Sequence, residues 1–562
     1  MPYISKIWQV YDPISAETSQ ALQAYHPVLR QILANRGYTD ADSAQQFLNA
    51  LPAQGIDPTQ MLGMPAAIER INFAIAHSQP IAVYGDYDAD GETATALLVE
   101  ALGNLGARVS GYIPNRFDEG YGLNMEALDA LHEMGVRLVI TVDCGIRSLA
   151  EAEHARQIGL DLIISDHHHP LHEIPQAAAV INPKQDGDLQ QYRDLAGVGL
   201  AYQLAAALST STQADLQGSL DLVAIGTVAD LVPLVGENRS LVRRGIEQIQ
   251  AARRQGIVSL IGASGLKSYS VSAGDIGYVL APRLNAAGRL DSALAAYHLL
   301  ISRDINETGR LAQQLDDQNR ERQRITRAIF ARAEQIALSE EAQPWLIFAA
   351  DPTFNPGVVG LAASRLVENY YRPAIVAFID VETTRASCRS IPEFHITQAL
   401  DQCADLLEHH GGHAAAAGFT VRNEHLPELI ERLRLIAVEQ LSSIDLRPVL
   451  KADLELPLSG LKPEILAYLS WLQPTGNGNR EALFLSRNLK VKYKRTVGKE
   501  AYHLKLSVSD GKITYDAIAF RQGHLLDQIG DCVDLMYTFE TNEFNGQLFL
   551  QLNVRDIRPI NA

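Results

Sequence analysis

The sequence contains no run approaching the roughly 20 consecutive apolar residues that a membrane-spanning helix requires. Its opening, MPYISKIWQVYDPISAE, has neither the basic nor the apolar region of a signal peptide, so a cytoplasmic location without a membrane partner is expected. Cysteine is scarce. Cys144, Cys388, Cys403 and Cys532 are the only four, none forms a CxxC pair, and their spacing suggests neither a disulfide framework nor a zinc site. They read as reduced, mostly buried thiols. Basic charge is not in excess either: the net charge of −18 at first argues against a nucleic-acid partner, because non-specific affinity for phosphate comes from clustered Lys and Arg. Distribution matters more than the sum. Part of the acid is clustered where divalent cations would offset it, and a local basic run holds Lys490, Lys492, Lys494, Arg495 and Lys499. No internal repeat and no low-complexity tract occurs.

What is present is globular in character, with 47% hydrophobic and 20% charged residues, and at 562 residues the chain needs more than one core. Residues 1–75 form a lead-in whose segments HPVLRQILANRGY and ADSAQQFLNAL have helical spacing. Short apolar runs then alternate with helical stretches through residues 76–300, which predicts an α/β domain built on a parallel sheet with helices on both faces. Residues 301–340 include a polar stretch, Asp304 to Leu338, with one glycine and no proline, read as a long connecting helix. A second, smaller α/β domain is expected over 341–445. Several short strands with turn signals such as Asp510-Gly511 and Asn545-Gly546 predict a small OB-like β-barrel over 446–562.

Three of the predicted strands end in acid. AVYGDYDAD ends in Asp86, Asp88 and Asp90, VITVDCG in Asp143, and LIISDHHHP in Asp166, His167, His168 and His169. Ligands of open parallel sheets bind beyond the carboxyl ends of the strands, so these residues are expected in one crevice. Asp88 and Asp90, two apart, are expected on one side of an extended backbone. Asp230, after LVAIGTVAD, is a candidate to join them. Such carboxylates repel one another unless protonated or bridged by cations, and a mixed carboxylate and imidazole set suits manganese or magnesium. A carboxylate between two ions holds them about 3.5–4 Å apart, the spacing that clamps a phosphoryl group for attack by hydroxide. Each motif alone has a plainer reading: DADG is also a common turn or helix N-cap, and a DHH triplet also an ordinary strand end. Their order along successive strands is what points to metal-assisted phosphoester hydrolysis.

The ordered set GDYDADG (85–91), IPNRFDEGYGL (113–123), VDCG (142–145), SDHHHP (165–170), GTVADLVPL (226–234) and PRLNAAGRL (282–290) resembles the RecJ branch of the DHH phosphoesterases. SCRSIPEFH (387–395) and GGHAAAAGF (411–419) resemble the DHH-associated domain, and PTGNGN (474–479) with the β-rich sequence after it resembles an OB-fold. The resemblance implies two divalent ions, Mn2+ or Mg2+, held by Asp88, Asp90, Asp143, His167 and Asp230, with Asp143 as the bridge and Asp86 beside it as a ligand or supporting catalytic acid. It implies His168 at the scissile phosphate as hydrogen-bond donor or proton shuttle. Arg116, Arg283, Arg289, Ser387, Arg389 and His413 are implied to meet substrate, Ser387 and Arg389 at a 5′-terminal phosphate, where a planar guanidinium binds in bidentate fashion. GGHAAAAGF also fits simple close packing of backbone. Lys and Tyr on the strand around VKYKRTVGK fit either a single-strand platform or a solvated face.

The implied activity is 5′-to-3′ exonucleolytic degradation of single-stranded DNA to mononucleotides in repair and recombination. A monomer suffices, with a single-strand-binding protein and a RecQ-type helicase as implied partners. Two alternatives stand beside it: a phosphoesterase of short oligonucleotides or small nucleotides, and a non-catalytic scaffold of the kind that has lost its ligands. The C-terminal barrel argues against the first and the intact ligand set against the second. Some positions depart from the family pattern: Phe354-Asn355 where Trp-His is usual, Cys388 and Glu393 where glycines are common, and Glu92 where an aliphatic residue is usual. Glu393 would add negative charge near the phosphate pocket.

Overall fold

The computed structural model describes residues 5–52, 57–115, 119–120, 122–188, 190–209, 216–340, 344–544 and 547–560. Arg116 and the Asn545-Gly546 turn fall outside the described residues. The chain divides into two compact units, one formed by Gln9–Asp316 with Lys451–Ala562, the other by Asp317–Leu450 with Met1–Trp8. The helix Ile305–Glu340 contains the division between them. No helix among the described residues is long and apolar enough to cross a membrane.

The first unit is built on a five-stranded, wholly parallel sheet in the order Val109–Tyr112, Ile81–Gly85, Leu138–Val142, Asp161–Ser165, Ala179–Ile181. IAVYG and LVITV are buried at every position, as a strand covered on both faces requires. Alternate residues serve opposite faces: Val83, Ile140 and Ile163 pack in one core, Ala82, Tyr84, Val139 and Ile164 in another. Helices Ala89–Asn104, Gly197–Ser209 and Leu220–Ala229 cover the first face, and Met125–Glu133 and Leu149–Ile158 the second. The strand order reverses between Ile81–Gly85 and Leu138–Val142. That switch point opens a crevice at the carboxyl ends of the two strands.

The same unit carries the C-terminal barrel, in which strands Phe484–Val497, His503–Ser509, Thr514–Ala519, Gln547–Ile560 and Cys532–Phe544 follow one another in hydrogen-bonded order, and the last pairs back onto the first. The lead-in helices Pro27–Asn35 and Ala41–Asn49 share a core with this region, Leu29, Ile32 and Phe47 packing in one cluster with Leu458, Phe484 and Tyr537. The second unit holds a mixed sheet in the order Leu407–His413, Ala416–Arg422, Thr383–Arg389, Ala374–Ile379, Ile347–Asp351, with only the last pair parallel. The folds expected from the sequence, a parallel α/β domain, a long helix, a smaller α/β domain and a β-barrel, are all present.

Candidate metal centre

Seven side chains gather at the switch point, in three groups whose ligand atoms lie within 4.8 Å of one another: Asp86, Asp88 and Asp143; Asp143, His167 and His168; Asp90, His167 and Asp230. Asp143 belongs to two groups, which is the arrangement a bridging carboxylate needs. His167 Nε2 stands 3.1 Å from Asp143 Oδ1 and 3.4 Å from Asp230 Oδ2. Asp143 follows the strand Leu138–Val142 with φ of 64°, a left-handed conformation that costs energy for any residue but glycine and that Asp tolerates better than most. Its turn is fixed by buried Thr141, whose hydroxyl donates to Cys144 O at 2.8 Å, and by Asp166.

Asp166 itself is an organiser. One carboxylate oxygen accepts from Ile146 N–H at 2.9 Å, the other from the His168 N–H at 3.0 Å and from His168 Nδ1 at 2.7 Å. The imidazole is thereby held in one tautomer, with Nδ1 as donor. Asn182, fully buried, donates to His168 O at 2.8 Å and steadies the same segment.

Asp88 and Asp90 do not lie on an extended strand as the sequence suggested. The strand ends at Gly85, Asp88 is the N-cap of helix Ala89–Asn104, and its Oδ1 accepts from the Asp90 and Gly91 amides at 2.9 and 3.2 Å. Asp90 sits in the first helical turn. Its carboxylate receives the Gly197 and Val198 amides at 2.7 and 2.8 Å, the N-terminal donors of helix Gly197–Ser209, so a second helix dipole orients it. Asp230 caps the C-terminal end of helix Leu220–Ala229.

Close backbone approach completes the centre, and glycine permits it at four points. A Cβ on Gly91 would meet Asp86 O at 2.4 Å, on Gly197 Asp143 Cβ at 2.6 Å, on Gly226 Asp90 Oδ1 at 2.8 Å, and on Gly288 Tyr87 O at 2.4 Å. Gly288 lies in PRLNAAGRL, now helix Ala281–Leu290, where Asn285 also accepts from Ala89 N–H at 2.8 Å. That helix is therefore a brace for the DYDAD segment. Its Arg283 is engaged by Asp316, Nε at 2.9 Å and Nη2 at 2.8 Å. Arg289 is at the C-terminal end of the same helix.

The electrostatics fit cations. Burial, followed by the Asp90, Asp88 and Asp230 charges, pushes the Asp143 carboxyl well up; burial and then Asp90 and Asp88 do the same to Asp230, and burial and then Asp88 to Asp90. Burial pushes His167 down, to the neutral form a metal ligand needs. Burial opposes charge on His168 as well, but the hydrogen bond and charge of Asp166 outweigh it and shift His168 upward. No hydrogen bond of good geometry reaches the buried Asp143 Oδ1. A donor set of carboxylates and neutral imidazole, mutually repelling and under-satisfied, fits divalent ions of the manganese and magnesium type. Lys184, half-buried, contributes the opposing positive charge beside Asp230 and Asp166.

Glu92 is separate. Both its carboxylate oxygens are buried without a hydrogen-bond partner, it belongs to none of the three groups, and burial followed by Asp88 and Asp86 pushes its carboxyl well up. An unpaired buried polar group costs about 1–3 kcal/mol. Glu92→Met, of similar volume, is therefore expected to raise the metal-free unfolding midpoint by a few degrees in scanning calorimetry; an unchanged or lowered midpoint would show that the carboxyl is satisfied.

In the second unit Ser387 and Arg389 alternate onto one side of strand Thr383–Arg389 and meet at the start of helix Val359–Tyr370, where a Cβ on Gly360 would lie 3.1 Å from Arg389 Nη2 and 3.4 Å from Ser387 Oγ. Arg389 donates to Cys388 O at 2.7 Å and has no carboxylate partner among the described residues. The Glu393 carboxylate accepts from Tyr371 Oη at 3.0 Å. Asn355 accepts from Gly357 N–H at 2.8 Å and shapes the turn into the same helix, beside buried Phe354. At Gly412, with φ of 145°, a Cβ would strike Ala416 O at 2.3 Å, so this glycine serves close strand packing; neighbouring His413 accepts at its carbonyl from Thr397.

A parallel sheet with acid and imidazole at its switch point, followed by a second α/β unit, defines a phosphoesterase of the DHH class. Residues 80–227 match the DHH family, N-terminal domain, 343–439 the DHHA1 domain, and 452–556 the RecJ OB domain. The single-stranded-DNA-specific exonuclease RecJ of Bacillus subtilis is 38% identical over 98% of this chain and 70% of its own length, and that of Escherichia coli 35% identical over 97% and 98%. The crystal structure of Thermus thermophilus RecJ in complex with Mn2+ superimposes with a TM-score of 0.86 at 30% identity, covering 99% of this chain and 80% of that one. The chain belongs to the RecJ family.

Proposed function

We propose that this protein is a metal-dependent exonuclease that degrades single-stranded DNA from the 5′ end to mononucleotides, in DNA repair and recombination. The observation that carries this reading is the set of three ligand groups interlocked through Asp143 and His167, in a chain that also has the DHHA1 and RecJ OB parts. Asp88, Asp90, Asp143, His167 and Asp230 would hold two divalent ions, with Asp86 beside them; RecJ from Thermus thermophilus has been crystallised with Mn2+ and with Mg2+. Such ions, when bound, make water nucleophilic near neutral pH and neutralise charge on the phosphate. The protein supplies the rest. His168, charged through Asp166, donates a hydrogen bond or proton at the scissile phosphate. Asp166 and the helix-terminal amides on Asp90 keep the side chains from reorganising. Arg389, Ser387 and the first turn of Val359–Tyr370 receive a 5′-phosphate. Arg116, Arg283, Arg289 and His413 are the other substrate contacts in this reading; for Arg283 this means sharing its guanidinium with Asp316. Exposed Lys490, Lys492, Tyr493 and Arg495 on strand Phe484–Val497 offer charge and a stacking surface to the strand. The same reading places a monomer in the cytoplasm, working with a single-strand-binding protein and a RecQ-type helicase.

The test is a 5′-labelled single strand incubated with Mn2+, against duplex and dinucleotide controls. Labelled mononucleotide released from the single strand alone is expected. Hydrolysis confined to the dinucleotide would favour a small-substrate phosphoesterase, and none at all a scaffold. Arg389→Ala should lower kcat/KM for a 5′-phosphorylated strand about ten- to a hundredfold relative to a 5′-hydroxyl strand, the worth of a charge-assisted contact. An unchanged preference would remove Arg389 from the 5′ pocket.

A further inference from the structure

Asp230 differs from the other carboxylates in how it is held. Asp88 and Asp90 each accept two backbone amides, whereas no hydrogen bond orients the Asp230 carboxylate among the described residues, and its side chain is 24% exposed against 3% for Asp143. Its direction depends on its backbone. That backbone is unusual: the next residue, Leu231, has φ of 60°, a left-handed conformation that costs leucine on the order of 1 kcal/mol, and its side chain is exposed, so its own packing does not secure it. Something else must fix the turn.

The loop Pro474–Asn479 does so. The Asn477 side-chain amide donates to Leu231 O, and Asn477 O accepts from Leu234 N–H at 2.7 Å, so one residue grips the turn at both ends. The flanking glycines let the two loops touch: a Cβ on Gly476 would lie 2.8 Å from Leu234 Cδ1, and one on Gly478 2.9 Å from Pro233 Cβ. The gripping loop is itself locked. Gly476 and Asn479 pair backbone to backbone, and the Asn479 amide donates to Leu472 O and Pro474 O at 2.8 and 2.7 Å. Arg239, 1% exposed and eight residues beyond Leu231, spends all five of its N–H groups on backbone carbonyls: Phe47, Leu472, Pro474, Trp471 and Gln473. Asn238 ties Pro233 O to Asp194 O.

We propose that Asn477 is a positioning residue for the metal centre: the loop that leads into the barrel clasps the Asp230 turn, and through it sets the affinity of the centre for divalent ions. Asn477 thus acts on the metal centre although it lies more than two hundred residues from Asp230 in sequence. The inference rests on the assignment of Asp230 as a ligand, made above.

The test titrates Mn2+ into the full-length chain by calorimetry and follows hydrolysis of single-stranded DNA against Mn2+ concentration, for wild type, Asn477→Ala, Asn477→Asp, Asp230→Ala and the control Thr475→Ala, whose hydroxyl meets only the Gln473 side chain among the described residues. Asn477→Ala is expected to weaken Mn2+ binding about ten- to a hundredfold, the effect typical of a group that orients a metal ligand. Hydrolysis should recover as Mn2+ is raised, which loss of structure would not allow. Asn477→Asp keeps the size, sets a carboxylate against the Leu231 carbonyl, and should weaken binding at least as much. Asp230→Ala should lose one site outright, and Thr475→Ala should titrate as wild type. If Asp230→Ala bound Mn2+ normally, the ligand assignment would fall. If Asp230→Ala lost a site while both Asn477 variants titrated as wild type, the ligand assignment would stand and the clasp would be overturned.

Discussion

Replacing Asp143 with asparagine is expected to lower turnover of single-stranded DNA by on the order of a thousandfold or more, since the loss of several kcal/mol of metal stabilisation at the phosphate corresponds to a factor of ten for every 1.4. Asparagine keeps the shape and tolerates the left-handed backbone at φ 64°, so the change isolates the charge. Two effects on stability should move in opposite directions. Without metal the variant should be more stable than wild type, because a buried carboxyl pressed by Asp90, Asp88 and Asp230 is gone. With saturating Mn2+ the wild type should gain stability by ligand linkage, and the variant should gain much less. Scanning calorimetry with and without Mn2+ reads both; equal gains in the two proteins would take Asp143 out of the centre.

Gly197→Ala should have the next largest effect. Its added methyl would lie 2.6 Å from Asp143 Cβ and 3.0 Å from Asp143 Cα, so either the turn carrying Asp143 or the start of helix Gly197–Ser209 has to move. If the helix moves, Asp90 loses the amide that reaches it at 2.7 Å. Both routes disturb a proposed ligand. Overpacking of this kind costs about 1–3 kcal/mol, and loss of a ligand's supporting contact about ten- to a hundredfold in metal affinity. Gly262→Ala is the matched control: nothing lies within 4 Å of its added Cβ, and alanine should stabilise helix Gln255–Ser264 by about 0.5–1 kcal/mol. A Gly197→Ala protein that binds Mn2+ as wild type would show that the site tolerates the shift.

Much of this was legible from the chain alone, for reasons that also explain what was not. Apolar runs such as IAVYG and LVITV announce strands buried on two faces, and acid following each of them announces a shared edge. That placed Asp86, Asp143, His167 and His168 at one crevice. The detailed geometry of Asp88 and Asp90 was misread because DADG serves as a helix cap, and the two faces of a strand are the wrong frame for a first helical turn. Asp166 carries the chemistry of a ligand in sequence but spends its oxygens on Ile146 and His168, a role visible only once those donors are in place. Gly197, Gly226 and Gly288 leave no trace in periodicity: a glycine required by a neighbour far along the chain looks like any other. The same holds for Asn477, whose partners Leu231 and Leu234 are brought to it by the packing of the barrel region against the catalytic region.

The most direct test of the two-metal centre is anomalous diffraction from crystals of the full-length protein soaked in Mn2+. Two peaks are expected, one on either side of Asp143, the first against Asp86 and Asp88, the second against Asp90, His167 and Asp230. A single peak, or peaks that leave Asp143 untouched, would contradict the assignment.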